Sequence, residues 1–409
     1  MNWLIVEDAL RDRKGHWFEY IQTFRNGLLR IGDKVDLLVD HAADPFIVRA
    51  LDAQPVLPES IWHRMGAAAG PLTRLARIPL HALATYRSIR RFLETKNSRE
   101  WTDSFPDYDI IFVPTILPHH LLGWFFLLKG ILRKWKGRFV FFFLSTPVRR
   151  DSTSRAAIFD PSPAARLLKW LIWFLGNDVR KGRVVLAVET FQLRDVLSEA
   201  SGVPFVYLPQ PVELYATRCE RRPQEVCFGC YGAARHEKGS DVLQLAVLRF
   251  LSANPEVRVR FVIQWITDFR DDSGTLVEKN AALLADKRVE FVSEYFQPGE
   301  YEARLATTDI LLLPYRVKSY GLRGSRVAID AMVNGIPVVI TRDIASATLV
   351  AQFGSALECD DGSVESLSDE IVNAINALLD LKAKALLRMP ESRKHFSVRA
   401  FKMMLVGEV

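Results

Sequence analysis

Cysteine is scarce in this chain, four in 409 residues, which excludes a disulfide framework. Long apolar runs are missing: none approaches the roughly 18 to 20 uninterrupted residues of a membrane-spanning helix. The N-terminus, MNWLIVEDALRDRKG, carries acids where a secretory signal would carry a basic lead and a long apolar stretch. These absences read as a chain that works in the cytoplasm or on a cytoplasmic membrane face. Metal spacings are absent too. Cys227 and Cys230 form a CxxC, but no second CxxC and no His pair follows it, so the two thiols read as small buried residues of a strand and no metal or other cofactor is expected. Nothing resembles a DNA- or RNA-binding motif, so nucleic acid is not an expected partner.

What is present is an ordinary globular composition, 49% hydrophobic and 25% charged, at a length that suits two domains. The charge is uneven. The first 200 residues hold 29 Lys and Arg against 21 Asp and Glu, or +8, and the remainder hold 25 against 27, or −2. A basic half of this kind fits an anionic lipid surface or an acidic substrate.

Short apolar runs alternate with helical periodicity throughout. In the first half WLIVE, KVDLLVD, DIIFVP, FVFFFLS, VVLAVET and PFVYLP flank amphipathic stretches such as HWFEYIQTFRNGLLRIG. The second half repeats the scheme with VCFGCYG, VRVRFVIQW, VEFVSE, DILLLPY, IPVVIT and SALECD, separated by helical patterns that include TLVEKNAALLADK. Strand alternating with helix, with continuously apolar strands, predicts an α/β fold of two doubly wound parallel sheets. The predicted domains are 1–210 and 211–394, joined by LPQPVELYATRCERRPQE, with a last helix near 395–409 folding back on the first. Residues 41–105 read as the least regular stretch, with no chemistry assigned to it, and Pro390 reads as a helix break.

Ligands of doubly wound sheets sit beyond the carboxyl ends of the strands. At such a point GCYGAARHEKGSD places Gly232 for a close turn, then Arg235 and Lys238, then a helix from Ser240; exposed amides and two cations there favour an anion. A second constellation, PYRVKSYGLRGSRVAIDAMVNGIPVV, follows strand DILLLP. It sets Gly324 and Ser325 at a helix start between Arg323 and Arg326, with Asp330 beyond as a possible acceptor for ribose hydroxyls. Two basic helix starts in one domain fit a diphosphate.

These segments resemble the family-4 glycosyltransferases of the GT-B fold. GAARHEKGSDVL looks like their glycine, basic residue, Glu-Lys-Gly element, AIDAMVNGIPVV looks like EAMAxGxPVV, and LPQPVE looks like the PNxVD that closes their first domain. The resemblance implies two Rossmann-like domains facing a central cleft and a retaining, metal-independent transferase. Its substrates would be a nucleotide-sugar donor and a polysaccharide, oligosaccharide or lipid-linked acceptor. It also implies that Arg235 and Lys238 grip the donor diphosphate and that Asp330 binds ribose. The sequence departs from the usual pattern: Leu322 stands where the first acid of the Glu-x7-Glu motif belongs, and Ala233 where an arginine is common. A variant branch has Tyr-x-x-Arg-x-Ser in place of that first Glu and an arginine three residues before the lysine; Tyr320, Arg323, Ser325 and Arg235 match it. A sugar-nucleotide epimerase and a non-catalytic nucleotide-sugar binder share these features.

The resemblance extends more thinly into the first half. Gly15 and His16 occupy the place of a glycine-containing loop facing the donor phosphates, or cap a helix. His119 and His120 stand at a strand end where a histidine often lines the sugar pocket, or simply enter a helix. Ser145 and Thr146 fall where relatives have a histidine, and Arg149 and Arg150 read as solvated. Asp107 to Asp109, DYD, matches the manganese-binding pattern of the GT-A fold but precedes its strand instead of ending it. LLGWFFLLKGILRKWKGR and ARLLKWLIWFLGNDVRKGR mix aromatics with Lys and Arg, which predicts contact with an anionic membrane surface through residues including Trp124, Phe125, Phe126, Trp135 and Lys129.

Overall fold

A computed structural model describes residues 1–13, 17–60, 71–96, 107–144, 147–151, 154–212, 225–297 and 299–407. Most of the proposed linker, residues 213–224, lies outside the described residues. Two compact units emerge: Met1–Pro211 with Lys402–Val409, and Val212–Phe401.

The first unit is built on a sheet of seven strands. They are β1 (Asn2–Glu7), β2 (Lys34–Asp40), β3 (Ala53–Leu57), β4 (Ile110–Val113), β5 (Arg138–Phe143), β6 (Val184–Val188) and β7 (Val206–Tyr207), in the order β3-β2-β1-β4-β5-β6-β7. All neighbours run parallel. The strands are mostly apolar along their middles because helices cover both faces, and Trp3 to Ile5 and Phe139 to Phe143 are fully buried. Helices α1 (Trp17–Arg30), α2 (Pro71–Lys96), α3 (Pro118–Lys129) and α4 (Pro163–Arg180) supply the cover. In α1, Tyr20, Ile21, Phe24 and Leu28 form the buried stripe expected of a 3.6-residue period.

The second unit repeats the topology. Its strands are β8 (Val226–Cys230), β9 (Val259–Gln264), β10 (Val289–Val292), β11 (Ile310–Leu313), β12 (Val338–Thr341) and β13 (Ala356–Cys359), ordered β10-β9-β8-β11-β12-β13 and again parallel. Helices α5 (Ser240–Ala253), α6 (Arg326–Val333) and α7 (Leu378–His395) belong to this unit, and α8 (Val398–Val406) spans its boundary with the first. From Lys402 onward the chain docks on the first unit: Lys402 pairs with Asp33 at 2.7 Å and Arg138 donates to the Leu405 carbonyl at 2.6 Å.

Three expectations need correction. The stretch 41–105 contains β3 and the 26-residue α2; both carry a proline, Pro55 and Pro79, which reads as a breaker, yet β3 is an edge strand where a missing donor is tolerated. TLVEKNAALLADK is not one helix. Leu276–Val277 pairs with Phe269–Arg270 as a two-stranded ribbon, and only Ala281–Ala285, capped by Asn280, is helical. Pro390 does not break α7, which is held on both sides of the proline by Arg388 to the Gly354 carbonyl and Arg393 to the Val333 carbonyl.

Candidate anion site and a buried acid–histidine cluster

In the second unit the turn after β8 is built around Gly232. Its φ of +93° lies in the left-handed region, and its N–H donates to Gln264 Oε1 on the neighbouring strand at 2.6 Å. A Cβ there would sit 2.2 Å from Lys238 Nζ, so the ammonium fills the space that glycine leaves. Gly239, with φ +64°, passes so close to the loop after β11 that a Cβ would lie 1.9 Å from the Pro314 carbonyl oxygen. The two loops are joined further by Arg316, whose N–H donates to the Glu237 carbonyl at 3.0 Å and whose guanidinium pairs with Asp241 at 2.6 Å.

This junction brings the two basic motifs together. Glu237 lies between Arg235 at 3.5 Å and Arg323 at 3.9 Å, and the Arg323 guanidinium stands 4.9 Å over the Tyr320 ring. Burial pushes Lys238 down to about 8, and the positive charges of Arg235 and Arg323 add to the shift against the opposing Cys230 and Glu237. Lys238 thus sits at the base with two solvent-reaching guanidiniums nearby, beside the α5 N-terminus at Ser240. Mutually repelling cations around an open turn suit a ligand carrying more than one negative charge. Ser325 caps α6 by accepting from the Ala328 N–H at 3.2 Å.

Asp330 takes a different place from its neighbours. It is 1% exposed, and its two carboxylate oxygens meet Arg326 Nε at 2.9 Å and the Tyr301 hydroxyl at 3.1 Å. Burial raises its pKa, with Arg326 and Tyr301 opposing. Cys227 and Cys230 are free thiols pushed up to about 11 by burial.

The first unit gathers titratable groups of another kind at the ends of β1 and β4. Glu7 and Asp8 close β1, His81 comes from α2 and His120 from the first turn of α3, all buried. Asp8 Oδ2 lies 2.8 Å from His120 Nε2 and 3.4 Å from His81 Nε2. Burial together with the Asp8 charge pushes Glu7 up to about 8. For Asp8 burial acts upward, but His120 and His81 outweigh it and hold the carboxyl well below the usual range. For His120 burial acts downward and is outweighed by Asp8, so its pKa rises. Asp8, His81 and His120 are the trio of possible metal ligands among the described residues, their ligand atoms all within 4.8 Å. Of the three, sequence reasoning singled out only His120; Asp8 and His81 share no motif with it, so only the spatial structure joins them.

The remaining candidates separate. Gly15, His16, Ser145 and Thr146 lie outside the described residues, as does the side chain of His119. Asp107 and Asp109 sit at the start of β4 and hold Asn2, Asp109 accepting its N–H at 2.8 Å. Arg149 and Arg150 are exposed and paired with Asp160 and Glu199. Trp124 and Trp135 do not reach solvent: they pack edge-on against Phe139 of β5, at 6.2 and 4.7 Å, and Lys129 pairs with Asp178. The aromatic surface lies elsewhere, on α3 and α4, where Phe126, Trp170, Trp173 and Phe174 are exposed. Their rings are linked through Phe125, with Trp170 and Trp173 4.3 and 4.8 Å from Phe174. Among the described residues no helix is long and apolar enough to cross a membrane.

No protein-family model matches the chain. A segment of 184 residues is 27% identical to the lipopolysaccharide core biosynthesis mannosyltransferase LpsB of Rhizobium meliloti, covering 43% of this chain and 49% of that protein; the match spans about half the length of the curated relative. Solved structures match over the whole chain. A glycosyltransferase from Rickettsia africae superposes with a TM-score of 0.63 at 14% identity, covering 100% of this chain and 96% of the other. The Anabaena protein HepE in complex with UDP gives 0.64 at 13% identity, covering 100% and 99%. A putative UDP-N-acetylglucosamine 2-epimerase from Listeria monocytogenes gives 0.51 at 11%, covering 99% and 93%. The fold is therefore that of GT-B glycosyltransferase structures, with two parallel Rossmann-like sheets.

Proposed function

We propose that the chain is a retaining glycosyltransferase that moves a sugar from a nucleoside-diphosphate sugar to a polysaccharide, oligosaccharide or lipid-linked acceptor. The observation that carries this reading is the convergence of Arg235, Lys238 and Arg323 around the Gly232 turn. The similarity to LpsB and the GT-B fold support it. In this reading Lys238 and Arg235 hold the donor diphosphate without a metal ion, while the amides at the α5 and α6 N-termini and Arg323 share the charge that grows on the leaving group. Preorganised donors of this kind contribute on the order of several kcal/mol to such a step. The departing phosphate oxygen accepts the proton of the incoming hydroxyl, so no protein carboxylate is required as base. Asp330, closed off by Arg326 and Tyr301, acts on the donor by fixing Arg326 at the head of α6. The aromatic patch of α3 and α4, flanked by exposed Arg166, Lys169, Arg180 and Lys181, supports the further reading that the enzyme works against an anionic cytoplasmic membrane surface, close to a lipid-linked acceptor.

The test is a melting-temperature screen of the full chain against UDP, GDP, dTDP and ADP sugars, because a ligand that binds only the folded state raises the transition. The donor that stabilises is then incubated alone and with candidate acceptors. Transfer that requires acceptor supports the proposal. Conversion of the donor with no acceptor present assigns an epimerase instead, the reading favoured by the Listeria match. Stabilisation without turnover of any kind leaves a binding protein.

A further inference from the structure

We propose that Asp8, His81 and His120 form a binding site for a divalent transition metal, with zinc as the fitting ion, that staples β1, α2 and α3 of the first unit together. Two imidazoles and a carboxylate are a common donor set for zinc, which takes nitrogen and oxygen ligands at about 2.0–2.2 Å in tetrahedral geometry. Such bonds put neighbouring ligand atoms about 3.3 Å apart. Asp8 and His81 already stand at 3.4 Å, and Asp8 and His120, at 2.8 Å, need only a small opening. The same carboxylate oxygen faces Nε2 of both rings.

An outer partner fits as well. Ligating histidines hold their second ring nitrogen on a carbonyl, hydroxyl or carboxylate, which fixes the ring and its tautomer. Thr85 Oγ1, one turn along α2, lies 3.4 Å from His81 Nδ1. A cavity of about 10 Å³, lined in part by Asp8, Thr85, Thr115 and His120, has room for one water as a fourth ligand. Charge points the same way. Asp8 is buried against the two imidazoles and, among the described residues, is not paired with Lys or Arg. A dication supplies that counter-charge. This site is independent of the donor reading and uses none of its residues.

The experiment uses the full chain stripped with a chelator and dialysed. Titration with Zn²⁺ should saturate at about one ion per chain, with the melting temperature rising with free Zn²⁺. Substitution with Co²⁺ should give the visible bands of a four-coordinate nitrogen and oxygen site. His81→Ala should abolish both signals. Thr85→Val keeps all three ligands and should weaken Zn²⁺ binding about 10-fold, so the site can be judged even where His81→Ala does not fold. Failure of the wild-type chain to take up Zn²⁺ or Co²⁺ at stoichiometric concentration overturns the proposal and leaves a hydrogen-bonded core cluster. Uptake that His81→Ala and Thr85→Val leave unchanged also overturns it, since the ion then sits on the surface.

Discussion

The two units share a strand order and differ in what they place at the end of their first strand. In both, that strand lies centrally, flanked by the second and fourth strands of its sheet. In the first unit it ends in Glu7 and Asp8, sealed in the core with two histidines; in the second it ends in a glycine turn with Lys238 at its base and two arginines reaching solvent. Topology fixes where a site can form, and the side chains decide whether that place holds an anion or a cation. The anion site requires backbone that approaches closely, hence two glycines at positive φ. The acid cluster requires burial, hence partners drawn from distant helices.

The largest effect should come from the backbone of the anion site. Gly239→Ala puts a Cβ 1.9 Å from the Pro314 oxygen at a φ of +64°; steric overlap and left-handed strain together should cost about 3 kcal/mol. Thermal unfolding should move down markedly. An unchanged melting temperature would mean that the two loops do not meet, and with them the convergence of Arg235, Lys238 and Arg323 would be lost.

Next in size is the charge itself. Lys238→Ala should weaken nucleoside-diphosphate binding roughly 10- to 100-fold, the range for a charge-assisted hydrogen bond, while the fold survives. Lys238→Arg should not restore it, because the space over Gly232 admits an ammonium and not a planar fork. The pH dependence separates binding from stability. The folded-state pKa, about 8, lies below the ordinary 10.5, so folding expels a proton between those values. The cost of burying the charged lysine is therefore present below about pH 8 and fades as pH rises towards 10.5. Diphosphate affinity should run the other way, since the ammonium proposed to hold it is lost above about pH 8. Calorimetric titration of wild type and Lys238→Ala across this range should show the difference shrinking with pH; a constant difference would place the lysine outside the site.

Much of the second unit was legible because its candidate site is local. Gly232, Arg235, Lys238 and Ser240 fall within nine residues, and Tyr320 to Asp330 within eleven, so the strand-to-helix turns that meet in the fold can be read in sequence order. The first unit hid its cluster because Asp8, His81 and His120 are joined only by the fold, and α2, which brings His81, carries the misleading Pro79. Trp124 and Trp135 misled for a related reason. A stretch rich in aromatics and lysines looks alike whether it lies on a sheet or on a membrane, and only the packing against Phe139 decides.

Asp330→Asn tests how far the anion site depends on its buried support. Both carboxylate oxygens are engaged, so the substitution should lower stability by about 1–3 kcal/mol and weaken nucleotide binding less than Lys238→Ala does. A loss of affinity without loss of stability would show direct contact between Asp330 and the nucleotide, and would move the residue from supporting Arg326 to holding ribose.

The smallest expected effect belongs to the surface of the first unit. Trp173 is 64% exposed on α4, beside Trp170 and Phe174, and the exposed Lys169, Arg180 and Lys181 share that helix or follow it. Each cation near an anionic bilayer contributes on the order of 1 kcal/mol at low salt, and the rings add an apolar term that salt does not screen. The full chain should therefore co-sediment with anionic vesicles, weakly and reversibly, and retain part of that binding when the salt is raised. Trp173→Ser should leave the low-salt binding mostly intact, through the cations, and remove most of what survives at high salt. Charge reversal at Lys169 and Lys181 should do the opposite. Equal loss of both components in either variant would break the separation of charge from rings on this surface, and failure to co-sediment with anionic vesicles at low salt would make a soluble acceptor the better assignment.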